Sequence, residues 1–138
     1  MMRAVLADIG PLYAAVDADD QDHQLCVETL GRGDLQLVIP ALVVAEAAYL
    51  IGRRLGAGVE GAFLRTLAGF EVEPPTAEYW ARMADLVEQY ADFPLGATDA
   101  SCAVLAERLR TDVIVTLDVR HFGAIRRADG SPFQLLPG

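Results

Sequence analysis

Short apolar runs alternate with longer amphipathic segments along the chain. The clearest runs are residues 3–8, LQLVI at 35–39 and DVIVTL at 112–117, and each has the length of a buried β-strand. FEVE at 70–73 predicts a further short strand, and PFQLL predicts a last strand at the edge of the sheet. Strands spaced in this way, with helical segments between them, predict a mainly parallel sheet.

Turn-forming residues mark where the helical segments begin and end. Gly10-Pro11 is predicted to open the first helix, with Pro11 at a first helical position. Thr98 is predicted to cap a helix that begins at Asp99. Helices are predicted from Pro11 to the acidic turn at 17–22, then over about 21–31, 40–55, 58–69, 76–90 and 99–110, with a short turn at RHFGAI. The pattern predicts an α/β fold in which helices cover both faces of a sheet of four to five strands.

Length and composition favour a single domain over residues 1–138, with enough apolar surface for one core, since 53% of the residues are hydrophobic. No apolar segment reaches about 18 residues, so we expect no membrane span. The start of the chain lacks the pattern of a signal peptide, and we expect no export. Cys26 and Cys102 lie far apart and are expected to be reduced thiols of a cytoplasmic protein.

The net charge of −9 argues against a general nucleic-acid-binding surface, because phosphate contacts need cations. It does not exclude a nuclease, since an acidic metal site adds negative charge itself. All eleven basic residues are arginines. The absence of lysine argues against phosphatases of the haloacid-dehalogenase type and receiver domains, and the absence of G-x-G-x-x-G after the first strand argues against dinucleotide binding.

Four acids stand apart from the solvated majority. Asp8 and Asp118 each end a predicted strand, where parallel strands present ligand sites, although a turn or cap would also explain either residue alone. Glu46 is the only charge in ALVVAEAAYLI; it fits a buried functional carboxylate, or one that reaches water or pairs with Arg53 or Arg54. Asp99 fits an N-terminal helix position stabilised by the helix dipole, and also a position near the other three.

Four carboxylates in one place would repel one another strongly, by on the order of 4 kcal/mol per close pair at an effective dielectric near 20. Such a cluster needs cations or raised pKa values. Hard divalent ions, Mg²⁺ or Mn²⁺, match oxygen ligands and can activate water against a phosphodiester.

The four acids lie in ADIGPLYA, VVAEAAYLI, ATDASCAVLAERL and VTLDVRHF, in this order. Together these segments resemble the PIN-domain ribonucleases, and more narrowly the VapC-type toxins of VapBC toxin–antitoxin systems. The resemblance covers essentially the whole chain. It implies a PIN-like three-layer fold and a Mg²⁺-dependent endoribonuclease that cleaves structured RNA, often tRNA or rRNA. It also implies a homodimer that a VapB-type antitoxin neutralises.

The resemblance further assigns roles to residues. Asp8, Glu46, Asp99 and Asp118 would form the catalytic quartet, with Asp8 and Asp99 as direct metal ligands and Thr116 supporting them. One position departs from the family pattern, because Ile9 stands where a Thr or Ser usually follows the first acid. A catalytically weakened PIN-like module that acts through protein partners is therefore the alternative function.

Several further residues allow two interpretations. Asp92, in ADFPLG, fits either a supporting acid near the site or a solvated loop residue. His121 fits a base or a structural hydrogen-bonding group. Arg120, Arg126 and Arg127 follow the fourth acid and are candidates for RNA phosphate contacts, or a solvated surface.

Overall fold

Five parallel strands form one sheet in the computed structural model, which describes residues 2–138. Strands β1 and β2 are joined along most of their length, and every other neighbouring pair is also parallel. The strands are β1 (Arg3–Ala7), β2 (Leu35–Pro40), β3 (Glu71–Glu73), β4 (Val113–Val115) and β5 (Gln134–Leu136). Their order across the sheet is β3-β2-β1-β4-β5, which confirms the predicted α/β class and places PFQLL at an edge.

Seven α-helices flank the sheet over the described residues. They are α1 (Ile9–Val16), α2 (His23–Leu30), α3 (Ala41–Leu55), α4 (Ala57–Thr66), α5 (Ala77–Gln89), α6 (Ala97–Leu109) and α7 (Val119–Ala124). The connections from β1 to β3 run across the sheet in one direction, and those from β3 to β5 run in the other. Right-handed crossovers therefore place helices on both faces.

Two predicted helix starts are wrong by one turn or less. Helix α1 begins at Ile9, so Pro11 is its third residue and Asp8 takes the N-cap position. Helix α6 begins at Ala97 with Gly96 as its N-cap, and Thr98 therefore lies inside the helix. The proline in α1 and the threonine hydroxyl in α6 are strong local signals for a helix start. In both helices, however, the residues just before that signal are already helical.

The direction in which the chain adds strands to the sheet reverses at β1. Strand β2 lies on one side of β1, and β4 comes back to pair with its other side through Leu6–Ile114 and Ala7–Val115. In open parallel sheets the crevice between two such strands, at their carboxyl ends, is where ligands bind. The topology therefore opens a crevice next to the residues that follow β1 and β4.

The two strands at this crevice are buried on both faces. Val5, Leu6 and Ala7 of β1 are fully buried, and the three residues of β4 are also buried. Helices on both sides explain why these strands read as continuous apolar runs rather than alternating ones. Of the helices formed by residues 2–138, none has the length and hydropathy needed to span a membrane.

Helix α7 offers a matched test of the core. Phe122 is completely buried, whereas Val119 on the same helix is 60% exposed. We expect Phe122→Ala to lower the free energy of unfolding by about 3–5 kcal/mol, because it removes a packed aromatic ring and leaves a cavity. Val119→Ala should change it by less than about 0.5 kcal/mol. Urea denaturation of both variants measures the difference, and equal effects would contradict the packing described.

Candidate functional site

Two carboxylates lie where β1 and β4 end. Asp8 follows β1 directly and occupies the N-cap position of α1, but its side chain makes no capping hydrogen bond. Asp118 follows β4 by three residues and is the N-cap of α7, where its Oδ1 accepts a hydrogen bond of 3.0 Å from the backbone amide of His121. Asp8 is therefore left available for another role, whereas Asp118 also caps a helix.

Thr116 connects these two acids. Its hydroxyl donates to Oδ2 of Asp8 over 2.9 Å, and it accepts a hydrogen bond of 2.9 Å from the backbone amide of Asp118. Thr116 is buried, so these contacts are shielded from water. The arrangement fixes the position of one Asp8 oxygen relative to the turn that carries Asp118.

The other oxygen of Asp8 has no such partner. The residue is only 5% exposed, and Oδ1 is buried without a hydrogen-bond partner among residues 2–138. Leaving a buried polar atom unpaired costs about 1–3 kcal/mol, and more when the group is charged. A cation bound at this point would satisfy the unpaired carboxylate oxygen.

Burial raises the pKa of Asp8 from 3.8 to about 6. The neighbouring Ile9 amide, which makes no hydrogen bond to the carboxylate, and the Thr116 hydroxyl oppose this rise, while the charges of Asp99 and Asp118 add to it. Burial also raises the pKa of Asp99, and the charges of Asp118 and Glu46 contribute in the same direction. The charges of neighbouring acids therefore disfavour the ionised forms of Asp8 and Asp99.

Helices α3 and α6 contribute Glu46 and Asp99. Asp99 lies in the first turn of α6, as an acid favoured by the helix dipole. The neighbouring Thr98 donates from its hydroxyl to Oε1 of Glu46, which ties the two helices together. The pairing of Glu46 with Arg53 or Arg54 is not found among the described residues, because Arg53 donates to the hydroxyl of Tyr49 and Arg54 lies over the ring of Tyr13.

The thiol of Cys102 is influenced by three of the four acids. Burial raises its pKa well above the usual value of 9.0, and the charges of Asp8, Asp99 and Glu46 each raise it further. Cys102 lies one turn after Asp99 on α6. The structure thus brings all four acids to one end of the sheet, and both cysteines are free and buried, as expected.

These acids do not form a closed metal cage. Over residues 2–138, no three His, Cys, Asp or Glu side chains are gathered closely enough to hold a metal ion by themselves. Mg²⁺ does not need such a cage, because it keeps several water ligands and is usually held by one or two carboxylates. The unpaired oxygen of Asp8 and the mutual repulsion of the acids fit such an ion.

Of the side chains that orient these acids, the sequence assigned Thr116 by resemblance and offered His121 as a structural group, but it assigned no such role to Thr98 or Phe93. His121 approaches both oxygens of Asp118 through Nδ1, at 3.0 and 3.2 Å, so it has the structural role considered for it. The ring of Phe93 packs on His121 with 4.9 Å between ring centroids. The three-residue spacing from Asp118 to His121 is a helix-capping signal that could have indicated the contact, whereas Phe93 and Thr98 depend on tertiary packing.

The structure brings only some of the remaining candidate residues near the acids. Asp92 is exposed in the loop after α5, and its neighbour Phe93 is the residue that reaches toward the site. Arg120, at the start of α7, lies over the ring of Phe93 at 5.4 Å and stays near the acids. Arg126 turns back to the carbonyl oxygens of Gly123 and Ile125.

Arg127 lies away from the acids. It pairs with Asp129 over 3.7 Å and lines a surface pocket with Glu107 and Arg110, at the C-terminal end of α6. Asp99 lies at the other end of that helix, which has 13 residues and is therefore roughly 20 Å long. The structure does not bring Arg127 to the site, because the chain after α7 returns toward the opposite end of the sheet.

The sequence matches the family model of the PIN domain over residues 5–128. It is also 38% identical, over 135 residues, to the Ribonuclease VapC26 of Mycobacterium tuberculosis. That alignment covers 96% of this chain and 100% of the relative.

Solved structures share the fold at low sequence identity. VapC20 of Mycobacterium tuberculosis, a Sarcin-Ricin loop cleaving toxin, aligns with a TM-score of 0.80 and 16% identity, over 87% of this chain and 94% of that one. VapBC2 of Rickettsia felis, solved bound to a DNA fragment from its promoter, gives a TM-score of 0.71 and 15% identity, over 96% of this chain and 98% of that one. These likenesses confirm the predicted PIN-like fold.

The raised pKa of Asp8 predicts a pH dependence of stability without metal. The folded state keeps this proton where the unfolded chain, with a pKa of 3.8, has released it. Its contribution to the free energy of unfolding therefore falls as pH rises from about 4 to about 6, and stays low above that. The total is on the order of 3 kcal/mol, at about 1.4 kcal/mol per pKa unit.

Replacing Asp8 by Asn should remove this loss. In EDTA, we expect the stability of Asp8→Asn relative to wild type to increase by that amount between pH 4 and pH 7, as measured by urea denaturation. Asp85→Asn, at an exposed position of α5, is the control and should show no such trend. A difference between Asp8→Asn and wild type that stays constant with pH would contradict the burial described for Asp8.

Proposed function

Because the chain belongs to the PIN-domain family and to its VapC-type ribonucleases, we propose that the acidic crevice is the active site of a divalent-metal-dependent endoribonuclease. The enzyme would hydrolyse RNA phosphodiester bonds as the toxin of a type II toxin–antitoxin pair. The observation that carries this proposal is the buried, unpaired oxygen of Asp8 among three other acids at the sheet's switch point. The relationship to Ribonuclease VapC26 supplies the substrate class.

The residues divide into ligands and orienting groups. Asp8 and Asp99 are the proposed direct ligands of Mg²⁺ or Mn²⁺, because burial and neighbouring charges disfavour their ionised forms without a cation. Glu46 and Asp118 would hold the ion through water molecules. A bound divalent ion would activate a water molecule for attack and stabilise the charge on the phosphate oxygens.

Neighbouring side chains of the protein hold the acids in position. Thr116 holds one oxygen of Asp8 and leaves the other free for the ion. Thr98 orients Glu46, and His121 orients Asp118. Groups held in this way act without reorganisation during the reaction, which is the main source of electrostatic stabilisation in enzymes.

The substrate is proposed to be a structured RNA, such as a tRNA or an rRNA, cleaved at an accessible single-stranded position. The structural neighbour VapC20 is a Sarcin-Ricin loop cleaving toxin, which supports an RNA loop as the target class. The net charge of −9 leaves few cations for phosphates, so recognition would depend on loop shape. Of the three predicted phosphate-binding arginines, Arg120 is the one whose position supports that role.

A VapB-type antitoxin is the proposed protein partner, in a cytoplasmic complex. Structures with the same fold include a toxin–antitoxin complex from Klebsiella pneumoniae and DNA-bound VapBC from Salmonella typhimurium. The toxin itself is proposed to be a homodimer that associates through helices rather than through the sheet edge.

A catalytically weakened interaction module is the second candidate function. Two observations favour it: Ile9 replaces a hydroxyl next to Asp8, and no three potential ligands are gathered into a ready-made metal site over residues 2–138. Metal binding separates the candidates, because a module without catalysis needs no Mn²⁺. Calorimetry that detects no Mn²⁺ binding at millimolar concentration would favour the module.

Cleavage assays with ligand variants test the nuclease directly. We expect Asp8→Asn and Asp99→Asn to reduce Mg²⁺- or Mn²⁺-dependent RNA cleavage at least about 100-fold, since losing even an outer-sphere partner of a metal ligand typically costs 10–100-fold. Asp85→Asn, an exposed acid outside the site, should cleave like wild type. Activity that is equal in all four proteins would exclude the proposed site.

Thr116 provides a test of positioning. Thr116→Val keeps the shape of the side chain and removes the hydroxyl that serves both Asp8 and Asp118. We expect metal affinity and cleavage to fall about 10–100-fold, with Thr116→Ser close to wild type. Titration with Mn²⁺ and RNA cleavage measure both quantities. A valine variant with wild-type metal affinity would show that the hydroxyl does not orient the site.

A further inference from the structure

One face of α3 carries an acid, an aromatic ring and a base in sequence. Glu46, Tyr49 and Arg53 are separated by three and four residues, so they lie along the same side of the helix. The distance from the first to the last along the helix axis is about 10 Å. This face begins at the acidic crevice and leads away from it.

A groove of about 530 Å³ lies along this face. Its walls are formed by Ile9, Ala45, Glu46, Tyr49 and Leu50. Among residues 2–138, Glu46 is the only charged residue that lines it. Ile9 directly follows Asp8 and is half-buried against the core. The groove therefore has one wall joined to Asp8 and another wall on α3. Its volume lies in the range of pockets that hold small ligands.

Tyr49 is the most exposed large apolar side chain of the described residues, at 64%. Its hydroxyl does not move freely, because Nη1 of Arg53 donates to it over 2.9 Å. A ring that is both exposed and held in place offers a flat surface at low entropic cost. Aromatic rings of this kind bind unpaired nucleobases by stacking.

Arg53 is available for a second contact. None of the ion pairs formed by residues 2–138 involves it, although other arginines pair with acids. The guanidinium has five N–H donors, and the bond to Tyr49 uses one of them. On a chain with a net charge of −9, such a cation beside an apolar groove complements a phosphate.

We propose that this face of α3 binds the RNA strand next to the cleaved bond: an unpaired base stacks on Tyr49 in the groove, and Arg53 binds a phosphate of the same strand. This inference rests on the proposed nuclease function, which places the scissile phosphate at the acids. It also gives Ile9 a role, since an apolar residue at this position widens the surface that a base can contact.

The test combines steady-state cleavage with a stacking signal, in Mg²⁺, on a pool of hairpin RNAs that carry 2-aminopurine in the single-stranded loop. Base–aromatic stacking is worth about 1–3 kcal/mol, so Tyr49→Ala should raise KM about 5- to 150-fold and abolish the quenching of 2-aminopurine. Tyr49→Phe keeps the ring but loses the hydroxyl that Arg53 holds, so it should retain the quenching and have a KM between those of wild type and Tyr49→Ala. Trp80→Ala, which removes a 52% exposed ring on α5, is the matched control and should change neither signal.

Arg53→Gln tests the phosphate contact separately. It should raise KM and make the slope of log affinity against log salt shallower by about 0.7, the value for one phosphate contact with a single strand. Tyr49→Ala should leave that slope unchanged. A slope unchanged in Arg53→Gln would overturn the assignment of Arg53.

The outcomes distinguish this inference from the function on which it rests. If wild type cleaves RNA and Tyr49→Ala cleaves it with the same KM and quenching, the groove serves another partner, such as a protein segment, and the inference fails. If wild type quenches 2-aminopurine through Tyr49 but does not cleave, base binding stands and the nuclease proposal fails. Absence of both signals in wild type overturns both.

Discussion

The buried carboxylate of Asp8 is the constraint on which the arrangement of the site depends. Its position is set by β1, which runs through the middle of the sheet, and by the hydrogen bond from Thr116 on the segment after β4. Only one of its oxygens is satisfied in this way. An unpaired, buried, negatively charged oxygen is unfavourable in a protein unless a ligand compensates for it. The fold thus maintains an unfavourable group at the point where parallel sheets bind ligands.

The other acids are placed by different elements and meet Asp8 only through the topology. Asp118 arrives after the return strand β4, Asp99 on the first turn of α6, and Glu46 on α3. Two of them are supported by a neighbour: His121 for Asp118, and Thr98 for Glu46. Their repulsion is the physical reason that the site calls for cations, and the open arrangement suits an ion that keeps much of its water.

Much of this could be predicted from residue patterns. The continuous apolar runs before Asp8 and Asp118 identified buried parallel strands, and the single charge in ALVVAEAAYLI identified Glu46 as unusual. Local signals failed where tertiary contacts decide: Thr98 was expected as a cap but serves Glu46 from inside α6. Likewise, Arg127 is near Asp118 in sequence, yet the chain carries it toward the other end of α6. The contacts of Thr98 with Glu46 and of Phe93 with His121 join residues distant in sequence, which no local pattern reveals.

The central claim is that the Asp8 crevice binds a divalent cation through Asp8 and Asp99. Diffraction from crystals of the full chain grown with Mn²⁺, collected at the manganese absorption edge, tests it most directly. We expect an anomalous peak bound to the unpaired oxygen of Asp8 and to the carboxylate of Asp99, absent from crystals of Asp8→Asn. No peak in the crevice at millimolar Mn²⁺, or a peak that Asp8 does not contact, would contradict it.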